Sequence, residues 1–350
     1  MEAFTLITPS EGEVLSQHTP LQANFKAMRA RLSASQGKVD YLYLKPTELE
    51  DDSTPRILTF AWENAREDFC PQCVEVAENP IFTGHVMHFA VLPGRQETRG
   101  HSLKTNTKYY WRVAGIDETD SPVCSQTASF QTAAEFPRWV FIEGVPNVRD
   151  IGGWETKDGH RVKQGLVYRG GEMNSHQTAT PAGLKFAEEE LTIRTDLDIR
   201  GHSELNAIPS HGPALPPSVK WFNVPLAAYA DINTDEQRAN YAKAFRILIT
   251  PAYFPIYTHC WGGADRTGTL VFLLNAALGV QDEALLLDYE LTGLATWGAR
   301  SRDSELFRAF EAMLEKLAPG QDYQAKAIAY WKSAGISDAE IIRLQNLFLE

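Results

Sequence analysis

Cys260 and Arg266 stand six positions apart in the run His259-Cys260-Trp261-Gly262-Gly263-Ala264-Asp265-Arg266-Thr267-Gly268. An ionised cysteine is a nucleophile. An arginine offers a planar fork that matches two oxygens of a phosphoryl group, which a lysine would not reproduce. The strand-like Ile256-Tyr257-Thr258-His259 precedes the pair, and the apolar stretch Thr269 to Leu278 follows it. Strand, tight loop and helix turn successive N–H groups toward an anion, with the positive end of the helix dipole behind them. Gly262, Gly263 and Gly268 permit tight turns, and together with Trp261, Ala264 and Thr267 they are expected to form a substrate pocket. Such surroundings lower a cysteine pKa from about 8.5 to about 3.5–7.5. Cys260 is therefore expected to be an anion at neutral pH, able to form a phosphocysteine intermediate with no metal or other cofactor. Thr267 is placed to donate its hydroxyl to the sulfur as it leaves, and Trp261 to wall the pocket.

A leaving alkoxide or phenoxide gains about 10²–10⁴-fold from a positioned proton donor. Two aspartates could supply it: Asp265, inside the loop, and Asp231, which ends the run Pro225 to Asp231, 29 positions before Cys260. Either could instead cap backbone N–H groups. His259 is expected to tune the loop through hydrogen bonds or simply to pack. Arg200 either braces the pocket or pairs with Glu204 at i,i+4. Arg169 is open between the same roles, and Asp150 is read as holding N–H groups in a turn.

The elements that must position these residues lie in a chain of 350 residues, enough for about two domains. Hydrophobic content of 43% and charged content of 22% describe a globular chain with a core. The net charge of −12 divides evenly on either side of Pro137. Neither half is basic, so a nucleic-acid partner is not expected, and phosphorylated macromolecules must be gripped locally rather than steered. Four cysteines are too few for a disulfide-built fold. Cys70-Pro71-Gln72-Cys73 lacks the ligands of a zinc site and the following helix of a redox pair. No apolar run has the length of a membrane span, and Met1-Glu2-Ala3-Phe4 does not read as a signal peptide. A cytoplasmic location follows as the expectation, or a secreted one if a signal has been removed.

Residues 1–135 read as short strands separated by turns: Ile57–Trp62, Val74–Ala77, His88–Leu92, Tyr109–Ala114 and Ser129–Thr132. Tyr109, Trp111 and Val113 share one face at period two. An all-β sandwich is expected, with the run from Met28 to Thr54 as an insertion. Ala133 to Arg138 reads as a linker. From 136 to 350 strands and helices alternate, which implies a mostly parallel central sheet with helices packed on it. Thr180-Pro181 opens a helix, Arg194–Ile199 and Trp221–Pro225 are strands, Asp235–Ile249 has helical spacing, and Gly279 ends the helix after the cysteine loop.

On Leu58-Thr59-Phe60-Ala61-Trp62, Val74 to Pro80 and Asn106 to Val113, the first part resembles a fibronectin type III-like domain. On His-Cys, five residues, Arg-Thr-Gly, the second part resembles the protein tyrosine phosphatase superfamily. The Asp-Arg-Thr-Gly form is similar to a bacterial branch of tyrosine and phosphoinositide phosphatases. Asn147-Val148-Arg149-Asp150-Ile151-Gly152-Gly153 and Arg194 to Arg200, in that order, support the branch. The resemblance implies a phosphomonoesterase acting on a phosphorylated protein or a small phosphoester, with Asp265 as preferred acid and Asp231 as second choice. Many members of the branch carry lysine where this chain has Ala264, which weakens the phosphoinositide reading. A phosphate-binding adaptor without turnover and a sulfur transferase are the competing classes. The sandwich is expected to position the catalytic domain or to pair it into a homodimer.

Overall fold

The computed structural model describes residues 4–25, 27, 51–64, 68–208, 212–296 and 300–350. The chain divides into two units: Met1–Thr19 with Pro55–Arg138, and Pro20–Thr54 with Trp139–Glu350. A division at 135/136 therefore misses one feature, because residues 20–54 belong with the second unit. Most of the insertion expected from Met28 to Thr54 lies outside the described residues. Its described ends show why it groups there. Phe25 clusters with Trp139, Leu291 and Leu294, and the Asn147 N–H donates to Ser53 Oγ at 2.7 Å.

The first unit is built of strands β1 (Phe4–Thr8), β2 (Glu13–Leu15), β3 (Leu58–Asn64), β4 (Cys70–Ala77), β5 (Val86–Ala90), β6 (Glu97–Gly100), β7 (Lys108–Ile116), β8 (Pro122–Cys124) and β9 (Ala128–Thr132). One sheet has the order β1-β3-β6, and the other β2-β9-β7-β4-β5 with β8 beside β7. The period-two stripe of β7 buries Tyr109, Trp111 and Val113. Phe60 of β3 reaches across to Trp111 and Phe130, with ring centroids 5.3 and 5.8 Å away. These edge-on contacts join the two sheets into one core. Arg112 points the other way and pairs with Glu75 of β4 at 2.6 Å. Cys70 and Cys124 are free thiols, and among the described residues no group of His, Cys, Asp and Glu is placed to hold a metal.

The second unit centres on a five-stranded sheet: β10 (Arg149–Asp150), β11 (Val167–Gly170), β14 (Ile256–His259), β12 (Thr195–Asp198) and β13 (Lys220–Asn223), in that spatial order. Only β10 runs antiparallel. Around the sheet lie helices α1 (Pro181–Glu189), α2 (His202–Asn206), α3 (Asp235–Leu248), α4 (Arg266–Ala277), α5 (Asp282–Leu291), α6 (Glu305–Leu317), α7 (Tyr323–Ser333) and α8 (Asp338–Phe348). The Thr180 side chain caps α1 and proline opens it. Gly279 follows α4 at φ 85°, the left-handed turn that ends a helix. Helix α4 is buried from Thr267 to Ala277, as a helix apolar on all sides must be. Trp331 of α7 donates its indole N–H to Leu273 O at 3.1 Å. The central strand β14 thus feeds straight into the most deeply packed helix, and the cysteine loop is the connection between them. Among the described residues no helix is long and apolar enough to cross a membrane.

Candidate active site

Cys260 follows β14 and is 3% exposed. It lies at a pocket of about 170 Å³ lined by Trp261, Gly262, Ala264, Asp265, Arg266 and Arg300. The helical ladder of α4 begins with Gly268 N to Ala264 O at 3.0 Å and Thr269 N to Asp265 O at 2.8 Å. Amides ahead of Gly268 fall outside that ladder, at the positive end of the dipole. Of the three loop glycines, Gly263 alone takes a left-handed φ, 65°. A Cβ there would stand 2.3 Å from Gly170 O. The loop is thus pressed against the end of β11, and only glycine fits.

Arg266 is fixed by Glu204, whose Oε2 and Oε1 accept from Nη1 and Nη2 at 2.5 and 2.8 Å. Burial opposes its charge, but Glu204 and the nearby Cys260 side chain outweigh burial and raise its pKa. The expected Glu204–Arg200 pair is therefore not formed. Glu204 sits at the third position of α2 and folds back onto the Gly201 N–H at 2.8 Å, which aims it at the loop. Arg200 turns to Asp198 at 2.6 Å and Glu172 at 2.8 Å.

His259 has a neighbour at each ring nitrogen. Nε2 lies 3.1 Å from Asp196 Oδ1, and Nδ1 lies 3.0 Å from Cys260 O. Both neighbours can only accept, which favours the protonated ring. Burial would lower its pKa, yet Asp196 and Asp198 raise it to about 9. A positive ring is thereby held beside Cys260.

Behind the loop, Arg149 and Arg169 converge on Asp288, with N–O distances of 2.7 and 2.8 Å. Arg169 Nη2 also donates to Gly263 O at 2.6 Å. Burial and the neighbouring Arg149 lower the Arg169 pKa to about 10, against the pull of Asp288. Asn147 adds a second tie, donating from Nδ2 to Gly262 O at 3.0 Å. Asp150 accepts from the N–H groups of Gly152 and Gly165 at 2.8 and 2.6 Å, holding a turn.

The two aspartates are placed differently. Asp265 lines the pocket. Its carboxylate is gripped by Arg300, Nε to Oδ1 at 2.8 Å and Nη2 to Oδ2 at 3.0 Å. It also accepts from the Tyr229 hydroxyl. Burial would raise the Asp265 pKa, but Arg300, Tyr229 and Arg266 together hold it below the usual range. Asp231 is exposed, on the short turn Tyr229–Ile232, and is absent from the pocket lining. Tyr229 fills the place nearest the loop instead. The Thr267 hydroxyl is fully buried and makes no hydrogen bond, so it does not reach the sulfur here. Its position at the first turn of α4 points it into the packed interior. Trp261 is 41% exposed and packs against His176, ring centroids 4.2 Å apart and planes tilted by 39°. His176 is tied to Glu172 at 2.9 Å.

Arg300, Tyr229, Asp288 and His176 carry no motif of their own and could not be singled out from sequence. Arg149, Asn147 and Glu204 lay in quoted segments, but their partners are distant in the chain.

The fold and this loop define an α/β protein with a cysteine–arginine anion cradle at the end of its central strand. Residues 140–350 match the model of the Tyrosine phosphatase family, well over half of the chain, and the chain belongs to that family. A Cupriavidus necator protein named as a candidate tyrosine-protein phosphatase is 27% identical over 172 residues, 42% of this chain and 60% of that protein. The chain therefore spans less than two thirds of that relative's length. Similar solved structures include the core catalytic domain of the PP-IP phosphatase SIW14 from S. cerevisiae, at 22% identity and a TM-score of 0.29, covering 48% of this chain and 88% of that one. PTPMT1 in complex with PI(5)P is another, at 13% identity and a TM-score of 0.28, covering 44% and 96%.

Proposed function

We propose that the protein is a cysteine-dependent phosphomonoesterase that hydrolyses phosphotyrosine or a similar ester through a phosphocysteine. The observation that carries this is Cys260 buried at a pocket that Arg266 also lines, with a helix N-terminus behind it. Cys260 Sγ attacks phosphorus, and the S–P bond forms as the bond to the leaving oxygen breaks. Asp265 gives that oxygen a proton. Water then attacks the phosphocysteine, passes a proton back to Asp265, and frees inorganic phosphate and the thiolate. Arg266 and the loop amides hold the equatorial oxygens in both steps. Asp231 is left without a part because it does not line the pocket.

Trp261 offers an aromatic face in the pocket lining, which supports an aromatic ester over an alkyl one. We read the first unit as a fibronectin type III-like sandwich that positions or pairs the catalytic unit. The need for a reduced Cys260 supports a cytoplasmic site of action.

The test is hydrolysis of p-nitrophenyl phosphate and a phosphotyrosine peptide, with chelator present. Wild-type protein is expected to turn both over, and Cys260→Ser neither. Turnover that survives in Cys260→Ser refutes the reading. A phosphopeptide that binds wild-type protein and stays intact points to an adaptor instead.

A further inference from the structure

A carboxyl group that must give a proton cannot do so while an arginine fork holds it as an ion. Asp265 is in that position. Both of its oxygens are engaged by Arg300 in a side-on pair, the strongest geometry such a pair has. Tyr229 adds its hydroxyl hydrogen to Oδ1. Because the carboxylate can only accept, Tyr229 must in turn accept from Tyr289, whose hydroxyl oxygen is 2.8 Å away. On its other side Asp265 faces Arg266. Its main chain is pinned by the Thr269 hydroxyl, which donates to Asp265 O at 2.9 Å. Every group turned toward this carboxylate therefore favours the charged form.

Arg300 has a second relationship that the pair with Asp265 does not explain. It lines the same pocket as Cys260 and Arg266. Glu204 occupies both terminal nitrogens of Arg266, and its carboxylate stays with that arginine. Among the described residues that line this pocket, Arg300 is the second cation. A dianion competes for a guanidinium on better terms than a single carboxylate does.

We propose, building on the phosphatase reading above, that Arg300 is a positioning residue for the acid: it holds the Asp265 carboxylate as an ion in the resting arrangement and moves to a phosphoryl oxygen when the ester enters. Released from the fork, Asp265 equilibrates with solvent protons to its neutral form and delivers that proton to the leaving oxygen as the S–P bond forms and the bond to that oxygen breaks. The arrangement ties acid competence to occupancy. In the unloaded protein the same pair neutralises two charges that would otherwise face each other across a solvent-open pocket.

The experiment is a pair of pH profiles on full-length protein, using p-nitrophenyl phosphate and, as the poor leaving group, phenyl phosphate. The kcat/KM profile reports the free enzyme and the kcat profile the loaded one. In wild-type protein the basic limb of kcat is expected to lie at higher pH than that of kcat/KM on phenyl phosphate. In Arg300→Ala the kcat/KM limb should move up by about one pH unit, so that the two limbs converge, while KM rises roughly tenfold. Arg300→Lys, which offers a point charge and no fork, should fall between, and it keeps the test open if the alanine variant does not fold. Coincident limbs in wild-type protein, or a kcat/KM limb unmoved in both variants, overturn the proposal while leaving the phosphatase reading intact. A wild-type protein inactive on both esters overturns the two together.

Discussion

Glu204 holds Arg266 by both terminal guanidinium nitrogens, at 2.5 and 2.8 Å, from a helix of five residues that follows β12 in the chain. The fork is therefore preset before any phosphoryl group arrives, which removes an ordering cost from binding. Glu204→Gln keeps shape and loses the charge. It is expected to lower kcat/KM for an aryl phosphate by roughly 10²-fold, since a misplaced oxyanion clamp costs about that much. An unchanged kcat/KM in a folded Glu204→Gln protein would show that Arg266 is oriented by something else.

The Asp196–His259 pair gives stability a pH dependence. The folded pKa of His259 is about 9, above the ordinary 6.5. A raised pKa stabilises the fold fully below the unfolded value, and that contribution is lost as pH climbs from about 6.5 through about 9. The melting temperature should drop by several degrees between pH 7 and pH 9.5. Asp196→Asn should flatten that drop. Identical pH dependence in variant and wild type would assign the loss to other groups.

Asp288 neutralises two arginines inside the protein. Removing its charge leaves Arg149 and Arg169 buried beside each other without an opposing charge. Asp288→Asn is expected to cost about 3–5 kcal/mol of folding stability, read by denaturant titration. It should also loosen the loop, because Arg169 is the residue that ties Gly263 O to the sheet. A loss below 1 kcal/mol would mean the cluster is solvated.

Gly263→Ala meets two obstacles at once: a left-handed φ of 65° and a carbonyl oxygen 2.3 Å from the new Cβ. The loop must lift from β11. Activity should fall by about 10²-fold or more, while the first unit, which has its own core, should be untouched. A fully active Gly263→Ala protein is incompatible with the loop as described.

Most of the scaffold was readable from residue patterns. Period-two burial marked β7, Thr180-Pro181 marked the start of α1, and Gly279 marked the end after α4, because each of these is a local physical requirement. The loop was readable for the same reason: strand, glycines and apolar helix are contiguous. Partnerships across the chain were not. Glu204 looks four residues away to Arg200, yet it reaches Arg266, since the turn of α2 and the loop position decide its direction. Asp265 looked like a free acid, and only the fold shows the arginine that grips it. Thr267 was one residue from a role and faces the packed interior instead. Asp231 was two residues from Tyr229, which holds the place expected of it.

Residues 20–54 leave the first unit's chain path to lend Phe25 and Ser53 to the second. A single scissor-cut at the apparent border would therefore yield a damaged catalytic half. Residues 139–350 expressed alone would wet Trp139, Leu291 and Leu294. They would also strip the Asn147 main-chain N–H of its hydroxyl partner, in the residue whose side chain holds the Gly262 carbonyl. The protein must be made whole, or with its borrowed segment spliced back.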